Sequence, residues 1–281
     1  MIELGAHAFV WIGAWDTESG NQTIRDAARA GVGFLEIPLL NPYKFDAASH
    51  RRVLQAEGLG ATCSLGLPAH AHLPAHPHEA TQFLEKALEQ TAAVGADSLC
   101  GCIGYSLGTF TGVAPTAAER QAVLDVLGSL NEKARSMGVR LGLEAVNRYE
   151  TYLYNTLSDT AETVRQIPGM FLHADTYHMN IEEEGMYQPF LDTADVLGYI
   201  HMSESHRGLL GTGTVDWNQV FQALATIGYR GRLVLESFAA INPDLAASTC
   251  LWRPPRHNGA QLAQGGLALL RQKAQQYGLT S

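Results

Sequence analysis

Apolar residues along the chain follow two alternating rhythms. Short β-branched or leucine-rich runs predict strands over 2–10, 33–39, 61–67, 97–103, 139–146, 170–175, 198–202 and 232–237. Longer amphipathic stretches between them predict helices over 23–30, 47–57, 78–94, 116–137, 157–166, 187–196, 217–227 and 258–277. Four of these helices run into a glycine just before the next strand: Gly31, Gly95, Gly138 and Gly228. A left-handed glycine is the stop that a helix needs before turning back into a strand. Eight strand–helix pairs in 281 residues predict a (β/α)8 barrel, for which about 250 residues is typical. A doubly wound sheet would announce itself with a glycine-rich turn after the first strand. Here that strand leads into Trp11-Ile12-Gly13-Ala14-Trp15 instead. No repeat, linker or low-complexity block interrupts the alternation, so a single domain over 1–281 is expected.

Composition narrows the function classes. Hydrophobic residues make up 46%, enough for a sizeable core, while charged residues are only 17% against a usual ~25%. Lys and Arg number 19 against 28 Asp and Glu; a nucleic-acid partner needs a basic footprint that this balance does not supply. No apolar run approaches the ~18 residues of a membrane span. Residues 1–11 enter a strand pattern at once, without the basic stretch and cleavage site of a signal peptide. Cys63, Cys100, Cys102 and Cys250 form no CxxC pair and are too few for a disulfide scaffold; Cys100 and Cys102 are expected as buried thiols on one strand face. A soluble, cytoplasmic protein is the expectation.

Barrel enzymes take their chemistry from the C-terminal ends of the strands. The last four predicted strands each deliver one ionisable group there: Glu144, Asp175, His201 and Glu236. Any one of them is readily explained as a buried polar group or a salt-bridge partner. Three carboxylates and an imidazole on one rim, however, are costly to bury without a cation. Three oxygen donors and one nitrogen are too hard a set for a structural zinc site and suit Mn²⁺, Co²⁺ or Mg²⁺ with open positions. Two adjacent sugar oxygens held by such a cation would acidify the carbon between them, and carboxylates on either side could exchange its proton. Loops after these strands add Glu150, His178 and Arg207, each alone as easily a solvated loop residue. Glu204 and His206 are expected at the surface.

Glu144-Ala-Val-Asn-Arg-Tyr-Glu150, Asp175-Thr-Tyr-His-Met-Asn-Ile-Glu-Glu183, His201-Met-Ser-Glu-Ser-His-Arg-Gly208 and Leu235-Glu-Ser-Phe238 resemble the D-tagatose 3-epimerase family. Gly211-Thr-Gly-Thr-Val-Asp-Trp217 resembles the loop before that family's seventh helix. The likeness spans essentially the whole chain. It implies a xylose-isomerase-like TIM barrel that inverts carbon 3 of ketoses such as L-ribulose, D-fructose/D-allulose or D-tagatose/D-sorbose through a cis-enediolate. By the same resemblance, Glu144, Asp175, His201 and Glu236 hold Mn²⁺ or Co²⁺. Glu144 and Glu236 form the acid/base pair, Glu150, His178 and Arg207 hold the sugar near carbons 1 to 3, and a homo-oligomer (dimer or tetramer) is expected. Cys250-Leu-Trp-Arg253 leans toward the L-ribulose 3-epimerase branch.

His7 stands where many such epimerases carry an aromatic residue, and it is expected either to bond a substrate hydroxyl or to fill the pocket. A period of two puts His7, Phe9 and Trp11 on one strand face. The loop 69–78 holds His70, His72, His76 and His78 without fixed spacing, so any metal there is expected to be adventitious. The glycine loop 208–213 lacks a lysine, which favours a free sugar over a phosphorylated one. An aldose–ketose or hydroxypyruvate isomerase on the same scaffold is the alternative. A zinc-cluster endonuclease would need ligands at the second and third strand ends, where none is read, and a non-catalytic sugar-binding protein would not need the facing carboxylates.

Overall fold

The computed structural model describes residues 2–279. Its strands are β1 (Glu3–His7), β2 (Phe34–Pro38), β3 (Gly60–Gly66), β4 (Ser98–Cys102), β5 (Arg140–Glu144), β6 (Phe171–Asp175), β7 (Leu197–Met202) and β8 (Arg232–Leu235). All pair in parallel in chain order, and β1 pairs with β8, so the sheet closes into a barrel. The helices are α1 (Thr17–Ala30), α2 (Ala47–Glu57), α3 (Pro77–Val94), α4 (Ala117–Ser136), α5 (Leu157–Val164), α6 (Thr176–Glu182), α7 (Gln188–Asp192), α8 (Trp217–Thr226), α9 (Pro243–Thr249) and α10 (Gly259–Gln276). The four glycine stops take positive φ, from 61° at Gly228 to 88° at Gly95. Among the described residues no helix is long and apolar enough to cross a membrane.

The barrel departs from the sequence reading where polar groups overrule apolar rhythm. Helix α1 starts six residues before the predicted position, because Asp16 and Ser19 form a reciprocal capping box ahead of the first apolar turn. Strand β1 stops at His7, whose Nδ1 accepts a hydrogen bond from the Phe9 amide at 3.1 Å. Residues Ala8–Val10 then turn as a short 3₁₀ helix. The expected shared face of His7, Phe9 and Trp11 is therefore broken. Phe9 packs on Phe238, ring centroids 5.6 Å apart, while Trp11 lines an outer groove between α1 and α10.

Inside the barrel, Phe34, Cys100, Phe171, Tyr199 and Val234 make a buried plug. Two glycines make room for it. A Cβ on Gly5 would enter the Phe34 ring, and one on Gly142 would enter the Phe171 ring. Gly142→Ala is expected to cost about 1–3 kcal/mol through overpacking, read as a lowered unfolding midpoint in urea. Below the plug, Arg232 and Arg140 lie over the Phe34 and Phe171 rings at 4.9 Å, and Arg232 also bonds Asp97 and Glu3. That end of the barrel is filled, and the cavity opens at the other.

Candidate active site

Glu144 ends β5 and Asp175 ends β6. His201 on β7 pairs in register with Asp175. Glu236 directly follows β8, and its amide extends the ladder to the Met202 carbonyl at 3.1 Å. All four side chains are buried. They meet at one atom: His201 Nδ1 lies 3.5 Å from Glu236 Oε1, 3.7 Å from Glu144 Oε1 and 3.9 Å from Asp175 Oδ2. The other ring nitrogen, Nε2, donates to Glu36 Oε2 at 2.8 Å. Nδ1 is buried and has no hydrogen-bond partner. It is the position left facing whatever positive charge sits among the three carboxylates, and this donor set fits a divalent cation.

Electrostatics give the same reading. Burial, reinforced by the charge on Glu236, pushes the Asp175 carboxyl up to about 8. Burial also drives Glu144 well above the carboxylate range; His201 and Arg207 pull it down, but repulsion from Asp175 and Glu236 helps keep it high. Burial opposes the charge on Glu236 too, yet Arg207 and His201 outweigh it and hold that carboxyl below its usual value. His201 is held protonated well above the ordinary range, because Glu36 and Glu236 overcome its own burial. The cluster is short of positive charge, and two of its three carboxyls, Asp175 and Glu144, respond by retaining protons.

Arg207 supplies the buried guanidinium of this rim. Its Nη1 lies 2.5 Å from Glu236 Oε2 and 3.3 Å from Asp175 Oδ2, and its Nη2 lies 3.5 Å from Glu150 Oε1. The guanidinium stacks 3.9 Å over the Tyr177 ring. His178 Nδ1 accepts from the Asn147 amide at 3.1 Å, while its Nε2 lies 3.1 Å from Arg207 Nη2, 3.6 Å from Asp175 Oδ2 and 3.9 Å from Glu144 Oε1. Burial and the nearby Arg207 charge hold His178 neutral, well below the usual histidine range. Glu150 accepts from Asn147 Nδ2 at 2.9 Å, and burial raises its carboxyl. These groups, with His7, line a cavity of about 980 Å³ that reaches α9. The fold thus brings Glu144, His201, Glu236, Glu150, His178, Arg207 and His7 to one chamber, with Asp175 fully buried against His201 and Arg207. His206 stays exposed, as do His70, His76 and His78, while His72 is buried and accepts from the Ser106 amide.

Three residues go beyond the sequence reading. Glu36 lies inside β2, fully buried, where the second strand end read as apolar; strand alternation from Phe34 puts it inward. His173, two residues before Asp175, is buried with its ring 4.1 Å from His201. Glu204 is a correction: it is fully buried rather than at the surface. Its Oε1 accepts from the Ser205 and Val215 amides at 2.9 and 3.1 Å. Its Oε2 accepts from the Gly211 amide at 2.8 Å and Trp217 Nε1 at 3.0 Å. Within the glycine loop 208–213, the Gly211 amide is thus spent on the chain's own carboxylate. That ring also carries Arg207, whose φ of 59° is unusual for a side-chain-bearing residue. Glu204→Gln necessarily sets an NH₂ against two N–H donors and is expected to cost about 1–3 kcal/mol, with faster amide exchange over 205–217 as the readout.

A family model described as a xylose isomerase-like TIM barrel matches residues 24–273. An L-ribulose 3-epimerase of Methylomonas sp. (strain DH-1) is 40% identical over 281 residues, covering 97% of this chain and 98% of that one. A ketose 3-epimerase of Arthrobacter globiformis is 36% identical over 97% of this chain and 96% of its own. Among solved structures, a D-allulose 3-epimerase from Methylomonas sp. in complex with D-allulose superposes with a TM-score of 0.92 at 39% identity, covering 97% of each chain.

Proposed function

The chain belongs to the xylose isomerase-like TIM-barrel family, and from that premise we propose that it is a metal-dependent ketose 3-epimerase acting on free ketoses. The observation that carries this is the convergence of Glu144, Asp175 and Glu236 on His201 Nδ1, with Glu144 and Glu236 three strands apart around the rim. Full-length likeness to an L-ribulose 3-epimerase and a ketose 3-epimerase supports the reaction class. Glu144, Asp175, His201 and Glu236 would hold the cation, Mn²⁺ or Co²⁺ with Mg²⁺ as a further option. When bound, it would supply Lewis acidity toward the sugar's carbonyl and neighbouring hydroxyl oxygens.

The chain's own residues do the rest. Arg207, His178 and Glu150 would hold oxygens near carbons 1 to 3, and His7 would meet the sugar from the β1 side. One of Glu144 and Glu236 takes the proton from carbon 3; the C–H pair becomes the C2–C3 double bond of a cis-enediolate, and the C2 carbonyl pair moves to its oxygen. The other carboxyl returns a proton to the opposite face, the C2 carbonyl re-forms, and carbon 3 is inverted. Substrate pairs of this kind are L-ribulose/L-xylulose, D-fructose/D-allulose and D-tagatose/D-sorbose. The Glu204 bonds in the glycine loop support a free sugar over a phosphorylated one.

Proton NMR in D₂O with Mn²⁺-loaded protein and L-ribulose, D-fructose or D-tagatose tests the reading, the spectra being recorded after chelation of the paramagnetic ion. Deuterium at carbon 3 with appearance of the epimeric ketose is expected. Exchange at carbon 1 with an aldose product would make the protein an isomerase instead, and no exchange with any of the three would overturn the free-ketose reading.

A further inference from the structure

A carboxylate in mid-barrel needs a reason. Glu36 sits on β2 two residues from Phe34, whose ring belongs to the apolar plug. A charge there is costly unless hydrogen bonds satisfy it. Its Oε2 accepts two, from His201 Nε2 at 2.8 Å and from the Tyr199 hydroxyl at 2.7 Å. Tyr199 and His201 are alternate residues of β7, so both project inward and one oxygen ties them together. Tyr199 Oη also lies 2.8 Å from Thr62 Oγ1; the tyrosine thus has a partner of its own without Glu36. His201 Nε2 has none besides Glu36. Glu36 is fully buried and is not among the residues lining the cavity.

We infer that Glu36 is a positioning residue for the cation site: by accepting the Nε2–H of His201 it fixes that tautomer and turns Nδ1 toward Glu144, Asp175 and Glu236. A carboxylate behind a ligating imidazole both orients the ring and raises its donor strength, and its loss typically weakens metal binding 10–100-fold. Glu36 Oε1, buried and without a hydrogen-bond partner, faces His7 Nε2 at 3.7 Å, so the β1 side does not replace the His201 contact.

The inference rests on the cation-site reading, and Mn²⁺ titration of the full chain separates the two. Glu36→Leu removes the acceptor and is expected to weaken Mn²⁺ affinity about 10–100-fold, measured by electron paramagnetic resonance of the free ion. Glu36→Gln keeps an acceptor oxygen without the charge and is expected to fall between Glu36→Leu and the unaltered protein. Tyr199→Phe removes the other bond to Oε2 and is expected to leave the affinity within about threefold. That order is not what a merely structural role produces. Glu36→Leu binding as tightly as the unaltered chain, or Tyr199→Phe weakening it as much as Glu36→Leu, overturns the inference. An unaltered chain that binds no Mn²⁺ overturns the cation-site reading as well. Imidazole ¹⁵N spectra of the unaltered, Mg²⁺-loaded protein need no variant to fold. They are expected to show His201 protonated at Nε2 alone, and protonation at Nδ1 instead overturns the inference.

Discussion

Glutamine at position 236 is expected to lower the rate of ketose epimerisation by about 10²–10⁴-fold, the usual loss when a positioned general acid or base is removed; Glu144→Gln is expected to do the same. Glutamine keeps the shape of the side chain and one acceptor oxygen but cannot carry the proton. The two variants should fail differently. Glu144 and Glu236 stand three strands apart around the rim, so under the proposed reaction each would serve one face of carbon 3. A variant that retains one carboxylate can still remove the proton from that face and return deuterium to it from D₂O. Each variant is therefore expected to wash deuterium into one epimer of a ketose pair without inverting it, and the two variants should prefer opposite epimers. Because both residues also belong to the proposed cation set, the comparison is made with Mn²⁺ occupancy measured and saturated. Inversion within about tenfold of the unaltered rate in both variants, less than any loss expected for an acid or base, would show that the proton moves by other groups.

The rim was readable in advance because each of its members lies within one residue of the end of an apolar strand. A strand of alternating inward residues fixes the direction of its last side chain, and barrel closure brings consecutive strand ends together without further information. Asp175 and His201 are in fact register partners. Glu36 escaped the same logic because it lies inside Phe34-Leu35-Glu36-Ile37-Pro38 rather than at its end. Only the presence of His201 and Tyr199 across the barrel, a matter of tertiary structure, makes a carboxylate tolerable there. Glu204 escaped for the opposite reason. Loops are mostly solvated, and nothing local in Ser203-Glu204-Ser205 reports that amides seven and eleven residues on will close around it. His7 was found by position, but its expected companions on the strand face were not, since its own Nδ1 ends β1 by bonding the Phe9 amide. Helix α6 was likewise hidden, although Asp175 caps it by accepting from the Tyr177 amide at 2.7 Å. The same carboxylate thus spends Oδ1 on the fold and keeps Oδ2 for the site.

Chelation is expected to remove turnover completely, down to the level of a protein-free control, and added Mn²⁺ to restore it. The pH dependence of that restoration follows from the carboxylates. Without a cation, burial and repulsion from neighbouring carboxylates hold Asp175 protonated up to about 8 and raise Glu144 well above the usual carboxylate range. A divalent ion requires these groups deprotonated, so its binding must displace protons, and mass action weakens it as pH falls. Apparent Mn²⁺ affinity is therefore expected to rise with pH, by about tenfold per unit for each proton displaced. The slope should ease above about pH 8, where Asp175 has lost its proton. His201, held protonated by Glu36 and Glu236, must also lose a proton before Nδ1 can donate, and this adds to the slope in the same direction. Asp175, Glu144 and His201 therefore push affinity the same way, while Glu236, held below the usual carboxylate value, has no proton to give up, which makes the sign a strict test. Isothermal titration in two buffers of different ionisation enthalpy counts the protons released. An affinity independent of pH between 6 and 8, with no proton release, would mean that these four side chains do not hold the ion.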